Sequence, residues 1–464
     1  MKGCNTWSYA PYRPFLWQVG DIYICRIVPD ENAIHFEWLN TGDDEYEIFC
    51  KVRGEGEFTS CGTVKNSNLS YCEYCISGLD EGKDYEFYVC SGEKKSRTRL
   101  ARCGKSVGTV VNYLHPDDTA YSFSGRFLCS PSLVRHPEGF LLASMDLFAG
   151  EHPQNLTLIF RSDDDGESWH YVSELMPSFW GKMFIHKGEL YMLSVTTEYG
   201  DLIIGKSVDG GKTFSSPTTL LRGSGGKKGY SGIHKNPQNV VYHNGRIYET
   251  LEWGSWLNKG YFHAAMLMSC DENADLLDPE NWHFTPPVKY DPNWIGTAPD
   301  GDKETIEGTL TVAPDGKLYN IMRYQTQEEK KILIYKVNEG DPDAPLEYSH
   351  SVAFPGNLSK FMIKKDSVTG RYFSIICRRL DDPKTVRNLS SLVSSTDLEH
   401  WELVCDLIDY RYADPKTHGF QYADFEIEGE DIIFLSRTAI NGAQTYHNTN
   451  YSTFHRIKNF RKLL

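Results

Sequence analysis

Three apolar runs of this 464-residue chain end on a charge. Asp146 follows Leu141-Leu142-Ala143-Ser144-Met145, Arg323 follows Leu318-Tyr319-Asn320-Ile321-Met322, and Arg437 follows Ile432-Ile433-Phe434-Leu435-Ser436. Burying such a group costs on the order of several kcal/mol unless a counter-charge or a ligand meets it. An ion pair between neighbouring sheets would satisfy any one of them, but several in one chain point to a pocket that binds a ligand. Lys360 adds a cation. Tyr248-Glu249-Thr250-Leu251-Glu252-Trp253 sets a carboxylate, Glu252, beside Trp253, an aromatic able to stack on a sugar face. His186, His234, His418 and His447 can carry protons near neutrality. For His447 and Asn450, bonding to turn backbones in a closing sheet explains the sequence as well as a site does; for His455 it explains it better.

The elements that must hold these groups announce themselves through two turns. Ser162-Asp163-Asp164-Asp165-Gly166-Glu167-Ser168-Trp169 and Ser207-Val208-Asp209-Gly210-Gly211-Lys212-Thr213-Phe214 share the pattern S-x-D-x-G-x-x-(W/F), 45 residues apart. Glycine accepts positive φ, aspartate bonds its own backbone, and the aromatic drops between adjacent sheets. Each turn follows an apolar strand, Leu156-Thr157-Leu158-Ile159-Phe160 and Leu202-Ile203-Ile204-Gly205, and the spacing suits one four-stranded propeller blade. Ser269-Cys270-Asp271 reaches Trp282 after an insertion, and Ser395-Thr396-Asp397-Leu398-Glu399-His400-Trp401 lacks the glycine and is one residue short. From residue 113 to 464 the pattern predicts an all-β propeller of six blades, with five or seven as alternatives, and functional groups converging at one end of its central channel.

Residues 21 to 112 read as a separate domain of short alternating strands, among them Ala33-Ile34-His35-Phe36-Glu37-Trp38, Tyr46-Glu47-Ile48-Phe49-Cys50-Lys51-Val52 and Tyr85-Glu86-Phe87-Tyr88-Val89-Cys90. Residues 1 to 20 form an aromatic leader, whose stretch from Tyr9 to Trp17 is expected to dock on a neighbouring surface. Twelve cysteines are present, and Cys4, Cys25, Cys50, Cys61, Cys72, Cys75, Cys90 and Cys103 lie in the first 103 residues. Cys72-Glu73-Tyr74-Cys75 has metal-ligand spacing but no second pair, so these thiols read as reduced core and surface groups. A net charge of −15 argues against nucleic acid or an anionic membrane as the main partner. No apolar run of about 18 residues suggests a spanning helix. The segment Met1 to Trp7 has no signal-peptide core, which fits a cytoplasmic chain, or a secreted or periplasmic one whose leader lies outside this sequence.

The segment 21–112 resembles a fibronectin type III domain: Trp38 stands where that family buries a strand tryptophan, and Ile76-Ser77-Gly78-Leu79-Asp80-Glu81-Gly82-Lys83-Asp84-Tyr85 resembles its tyrosine corner. The turns and strands of residues 114–464 resemble the sialidase superfamily. That resemblance implies roles for four segments. The run from Ile306 to Arg323 resembles the strand pair that supplies a glutamate base, Glu307, and a carboxylate-binding arginine, Arg323. Val386-Arg387-Asn388-Leu389-Ser390 resembles the segment of a further such arginine, Arg387. Gln421-Tyr422-Ala423-Asp424-Phe425 resembles the segment of the tyrosine nucleophile, Tyr422. The fourth segment departs: Leu128-Cys129-Ser130-Pro131 puts Cys129 where the family has its first arginine, with Arg126 three residues earlier. The loop after Asp146 offers Glu151 and His152 in place of the family's acid/base aspartate.

The sequence therefore leads to an exo-acting, glycan-degrading hydrolase for an acidic sugar on an oligosaccharide or polysaccharide, with no metal and no cofactor. Tyr422 and Glu307 would act at the anomeric carbon, Asp146 or Glu151 would supply the acid, and Arg323, Arg387, Arg437, Lys360, His234, Glu252, Trp253, His418, His447 and Arg126 would bind substrate. A polysaccharide lyase acting at a uronic acid is the second reading, with a histidine or tyrosine removing the C5 proton. A glycan-binding propeller without activity is the third. The sequence leaves the oligomeric state open.

Overall fold

The computed structural model describes residues 7–464 apart from 9, 11, 12, 14–17, 68, 225–229, 258–262, 298–304 and 328. The expected docking stretch from Tyr9 to Trp17 lies largely outside the described residues. Beside it, Trp7 is fully buried, edge-on to Phe214 at 6.0 Å, and its indole N–H donates to the Pro177 carbonyl at 2.7 Å. Arg13 donates to Glu174 at 2.8 Å.

The chain is all-β. Six antiparallel sheets follow one another along it. The first comprises Phe127–Arg135, Leu141–Phe148, Thr157–Ser162 and His170–Leu175; the second Phe179–His186, Glu189–Val195, Leu202–Ser207 and Thr218–Leu221. In the third, Gly232–His234 and Val241–His243 both pair with Arg246–Gly254, followed by Ala264–Asp271 and Trp282–Phe284. The fourth holds Thr305–Val312, Leu318–Tyr324, Lys331–Lys336 and Glu347–Ala353; the fifth Lys364–Lys365, Tyr372–Cys377, Leu389–Ser395 and Glu402–Asp409. The sixth takes Gly419–Glu428, Asp431–Ala439 and Tyr451–Ile457, and is completed by Thr109–Tyr113, which precedes the first sheet in the chain. That strand straddles the boundary expected at residues 112 and 113.

Second and third strands such as Tyr372–Cys377 and Leu389–Ser395 are buried throughout, because both of their faces are covered; this is why they read as continuous apolar runs. Fourth strands such as Glu402–Asp409 are largely exposed or half-buried and carry charge. The Asp turns close third strands onto fourth strands. Ser162 Oγ accepts the Gly166 N–H at 2.8 Å and Asp164 Oδ1 accepts the Ser168 N–H at 2.9 Å, and Ser207 and Asp209 repeat both bonds with Gly211 and Thr213, each at 2.9 Å. In the shortened turn, Leu398 takes the left-handed conformation, φ 69°, and its N–H donates to Ser395 Oγ at 2.8 Å.

The N-terminal strands form two sheets, one of Ile24–Pro29, Ala33–Leu39 and Tyr71–Ser77, the other of Thr59–Lys65, Glu45–Val52, Asp84–Ser91, Lys94–Lys95 and Arg99–Arg102. Trp38 is fully buried against Phe36 and Tyr46, and the Tyr85 hydroxyl accepts the Asp80 N–H at 2.8 Å. Cys72 and Cys75 lie three residues apart on one strand and so project to opposite faces, one buried and one half-buried. They cannot grip one ion together. Glu37 fixes this unit to the first sheet: it meets Arg26 of its own sheet at 2.7 Å and His170 at 3.1 Å, while Arg99 meets Asp118, in the stretch that leads into the first sheet, at 2.7 Å.

Gly166 tests the turn. Its φ is +93°, and an added Cβ would lie 2.1 Å from the Phe454 ring, itself packed on Trp169. Gly166→Ala should cost about 2 kcal/mol or more, from backbone strain and overpacking together. Gly188→Ala, at φ +84° but facing open space, should cost less. Melting temperatures of the two variants check this order.

Candidate active site

The first strands of four sheets slip in register at one place. Pairing with the second strand shifts between Cys129 and Ser132, Phe179 and Lys182, Ile306 and Gly308, and Gln421 and Asp424. Within each slip one non-glycine residue has positive φ: Ser130 at 49°, Trp180 at 53°, Glu307 at 58° and Tyr422 at 57°. A bulge of this kind turns a side chain out of the pleat, and left-handed backbone here costs about 1 to 3 kcal/mol per residue. Opposite the residue that precedes each slip stand Asp146, Val195, Arg323 and Arg437 on the second strands; in the third sheet Glu252 stands opposite His234. The charges that end apolar runs thus share one register position, repeated from sheet to sheet.

Two of these bulges bring Glu307 and Tyr422 together across the fourth and sixth sheets. The Tyr422 hydroxyl donates to Glu307 Oε1 at 2.5 Å, while the other carboxylate oxygen is paired with Arg323. Arg323 also donates to the Tyr422 oxygen at 3.5 Å and to the Leu358 carbonyl at 2.9 Å, a carbonyl that Arg387 reaches at 3.2 Å. The guanidinium of Arg387 lies 5.7 Å and that of Arg437 5.2 Å from the centre of the Tyr422 ring. Both are buried. Among the described residues neither has a carboxylate partner: Arg387 donates to Gln421 Oε1, and Arg437 donates to the His447 carbonyl and to Thr449 Oγ1.

Charge and burial set the proton states. Burial opposes the Glu307 carboxylate, but Arg323, His234 and the two hydrogen bonds outweigh it and hold its pKa below the ordinary value. Burial, reinforced by Glu307, pushes the Tyr422 phenol up to about 12, so it stays protonated until a base takes the proton. Burial and the surrounding arginines push His447 down to about 2, leaving it neutral. Burial also pushes the Cys129 thiol up to about 12, with Arg437 working the other way. A carboxylate 2.5 Å from a neutral phenol, ringed by three guanidiniums, can make that phenol a nucleophile beside an anion-binding wall.

A second group lies on the other side of Glu307. His234 Nδ1 meets Glu252 Oε2 at 2.6 Å, and Glu252 Oε1 accepts the N–H of Gly308 at 3.0 Å. The His234 ring is 4.4 Å from Trp180 and 4.5 Å from His263, and the Tyr199 hydroxyl is 3.1 Å from His263 Nε2. Trp253 is half-buried on the same strand as Glu252. Lys360 belongs to a deeper set of charges. It donates to the Ala423 carbonyl at 3.2 Å, near the Lys182 and Asp424 pair at 2.6 Å and the Lys235 and Glu249 pair, and burial pushes it down to about 8.

Other expected site residues stand elsewhere. Asp146 is fully buried, its oxygens accepting from Thr157 Oγ1 at 2.5 Å and the Trp180 N–H at 2.7 Å, and it ties two sheets together. Glu151 is exposed in the following loop, and among the described residues nothing joins it to Glu307 or Tyr422. Arg126 donates to the Pro116 carbonyl at 2.5 Å and faces Asp117 at 3.7 Å, where the two parts of the chain meet. His418 stacks on Tyr410 at 5.7 Å and sits by the Asp414 carbonyl. His186 lies beside the Tyr242 hydroxyl at 3.2 Å. Sequence reasoning passed over Lys182, Trp180, His263 and Asp424. Lys182 was detectable as a charge in an apolar strand; the turned-out backbone of Trp180 carries no such mark.

No family model matches the sequence. A probable phosphatase phospho2 from Xenopus tropicalis is 30% identical over 96 residues, covering 18% of this chain, and the chain spans 40% of that protein's length. Among solved structures the fold is similar to an α-L-arabinanase from Penicillium chrysogenum complexed with arabinobiose, at 15% identity over 78% of this chain and 100% of that one, TM-score 0.49. It is also similar to an α-L-arabinofuranosidase from Fusarium graminearum, at 12% identity over 75% and 97%, TM-score 0.49. A third likeness is to a polysaccharide lyase family 25 ulvan lyase, at 11% identity over 94% and 91%, TM-score 0.45.

Two stability measurements follow from the buried charges. Arg437→Met removes a buried cation that has no carboxylate in salt-bridge contact among the described residues, so the melting temperature should stay level or rise. Burial raises Asp146 to about 7, so its protonated form is favoured in the folded chain. Its contribution is complete below its ordinary value of 3.8 and is lost as pH rises through about 7. Asp146→Asn should therefore gain stability over the parent between about pH 4 and pH 8, by at most about 4 kcal/mol, read by denaturant titration at each pH.

Proposed function

We propose that this protein is an exo-acting glycoside hydrolase that releases an acidic sugar, built on a sialidase-like six-bladed propeller with a fibronectin type III-like domain before it. The six consecutive sheets, the last completed by Thr109–Tyr113, support the propeller reading; Trp38 and the Tyr85 to Asp80 bond support the second. The observation that carries the activity is Tyr422 on Glu307 with Arg323, Arg387 and Arg437 around its ring. Unpaired buried guanidiniums are costly, and a substrate carboxylate is the partner that offsets them. Arg437 reaches in from the sixth sheet beside Cys129, and so supplies the third cation that the sialidase pattern takes from the position of Cys129.

In this reaction the substrate carboxylate docks on the three arginines, which sets the anomeric carbon against the Tyr422 oxygen. Glu307 takes the phenol proton as that oxygen attacks, so a free phenolate never has to form in the closed site. The buried guanidiniums stabilise the negative charge that moves onto the phenol oxygen.

Product analysis on sialylated, ketodeoxy-sugar and glucuronate-containing glycans tests the proposal. Release of one terminal acidic sugar is the expected result. A product that absorbs in the ultraviolet as an unsaturated uronate would instead make the protein a lyase. Tyr422→Phe should lower turnover by roughly three orders of magnitude or more while melting like the parent; full activity in that variant would remove Tyr422 from the role of nucleophile.

A further inference from the structure

Expelling a sugar or alcohol at neutral pH needs a proton on the departing oxygen, and the proposed hydrolysis leaves that donor unassigned. Glu307 is occupied with the Tyr422 proton. Asp146 is sealed between two sheets, and Glu151 stands in an exposed loop. We infer that His234, oriented by Glu252, is the acid and base of this site, an inference that rests on the hydrolase reading above.

The geometry supports the assignment from three sides. With Nδ1 held by Glu252 at 2.6 Å, Nε2 is the nitrogen directed away from that carboxylate, and the second oxygen of Glu252 is bonded to the N–H of Gly308, next to Glu307. One carboxylate thus fixes both the imidazole and the bulge that carries the base. A carboxylate on Nδ1 also fixes the tautomer and gives the ring a counter-charge when Nε2 is protonated. The other histidines near the arginines lack this support: burial and nearby cations hold His447 down to about 2 and His263 well below its ordinary value. Finally, Trp180 and His263 flank His234, and Trp256, 45% exposed, stands 4.7 Å from His263. These rings form an aromatic cluster around His234, suited to the uncharged sugar that departs.

The step balances. The bond from Tyr422 Oη to the anomeric carbon forms as the glycosidic C–O bond breaks; the phenol proton passes to Glu307, and the Nε2 proton of His234 passes to the leaving oxygen. In the second half, water gives a proton to His234 Nε2 and its oxygen bonds the anomeric carbon. The tyrosine oxygen departs and recovers its proton from Glu307.

The test compares two leaving groups on the same sugar. For each of a sialic acid, a ketodeoxy sugar and glucuronic acid, the 4-methylumbelliferyl glycoside is set against an oligosaccharide that ends in that sugar. In His234→Ala, turnover of the oligosaccharide should fall about 100-fold or more, whereas the aryl glycoside, whose leaving group needs little protonation, should lose less than about tenfold. Sodium azide should restore turnover of the aryl glycoside and yield a glycosyl azide, which a merely structural loss would not allow. His234→Gln, closer in shape, should behave alike, and Glu252→Gln should show the same leaving-group dependence more weakly. Equal losses on both substrates without azide rescue, or parent-like turnover of both, would overturn the role of His234. No release of sugar by the parent protein from any of these substrates, or release of an unsaturated uronate, would instead overturn the hydrolase reading itself.

Discussion

The Glu307 carboxylate is where the buried charges of this protein are reconciled. One of its oxygens meets Arg323 and the other accepts from Tyr422, so a single anion balances a cation and orients a phenol. Its backbone stands in left-handed conformation within a bulge, and the next residue is fixed by Glu252. Without it, three guanidiniums would face a neutral ring with no negative charge among them. In the proposed reaction the same carboxylate is the base, so stability and activity would draw on the same atoms.

Beneath that pair, Lys182, Lys235 and Lys360 are buried with Asp424 and Glu249. Five charges at this depth are a poor source of net stability, because desolvation consumes most of what their attraction returns. They do fix register. Asp424 also accepts the N–H of Leu133 at 2.7 Å, so the pair formed with Lys182 ties the first strand of the sixth sheet to those of the first and second.

Much of the architecture was legible in the chain because it is carried by local chemistry. Ser-Asp-Gly turns and runs of apolar residues mark sheets wherever they occur, and the turns at Gly166 and Gly211 make the bonds their sequence requires. Charges ending apolar runs were legible as unusual, but their partners were not, since partnership is decided between sheets. Asp146 and Arg437 look alike in sequence, each a charge after five mostly apolar residues. In three dimensions one is sealed by Thr157 and Trp180 and the other lies over the Tyr422 ring. Arg126 was drawn to the site by its nearness in sequence to Cys129, and three residues of strand carry it instead to Pro116. The bulges themselves left no trace: nothing in the residue types at Ser130, Trp180, Glu307 and Tyr422 announces a shared backbone conformation.

Completion of the sixth sheet by Thr109–Tyr113 has a consequence for how the protein is made. The segment that completes the sheet of Tyr422 and Arg437 leaves the ribosome more than 300 residues before the strands that hold them. Five sheets can form in order during synthesis, while Thr109–Tyr113 waits for the strands of the sixth to emerge. Such long-range closure is slow and exposed to mispairing. Glu307 and Arg323 leave the ribosome before Tyr422, so their pair can form first and the phenol joins it last.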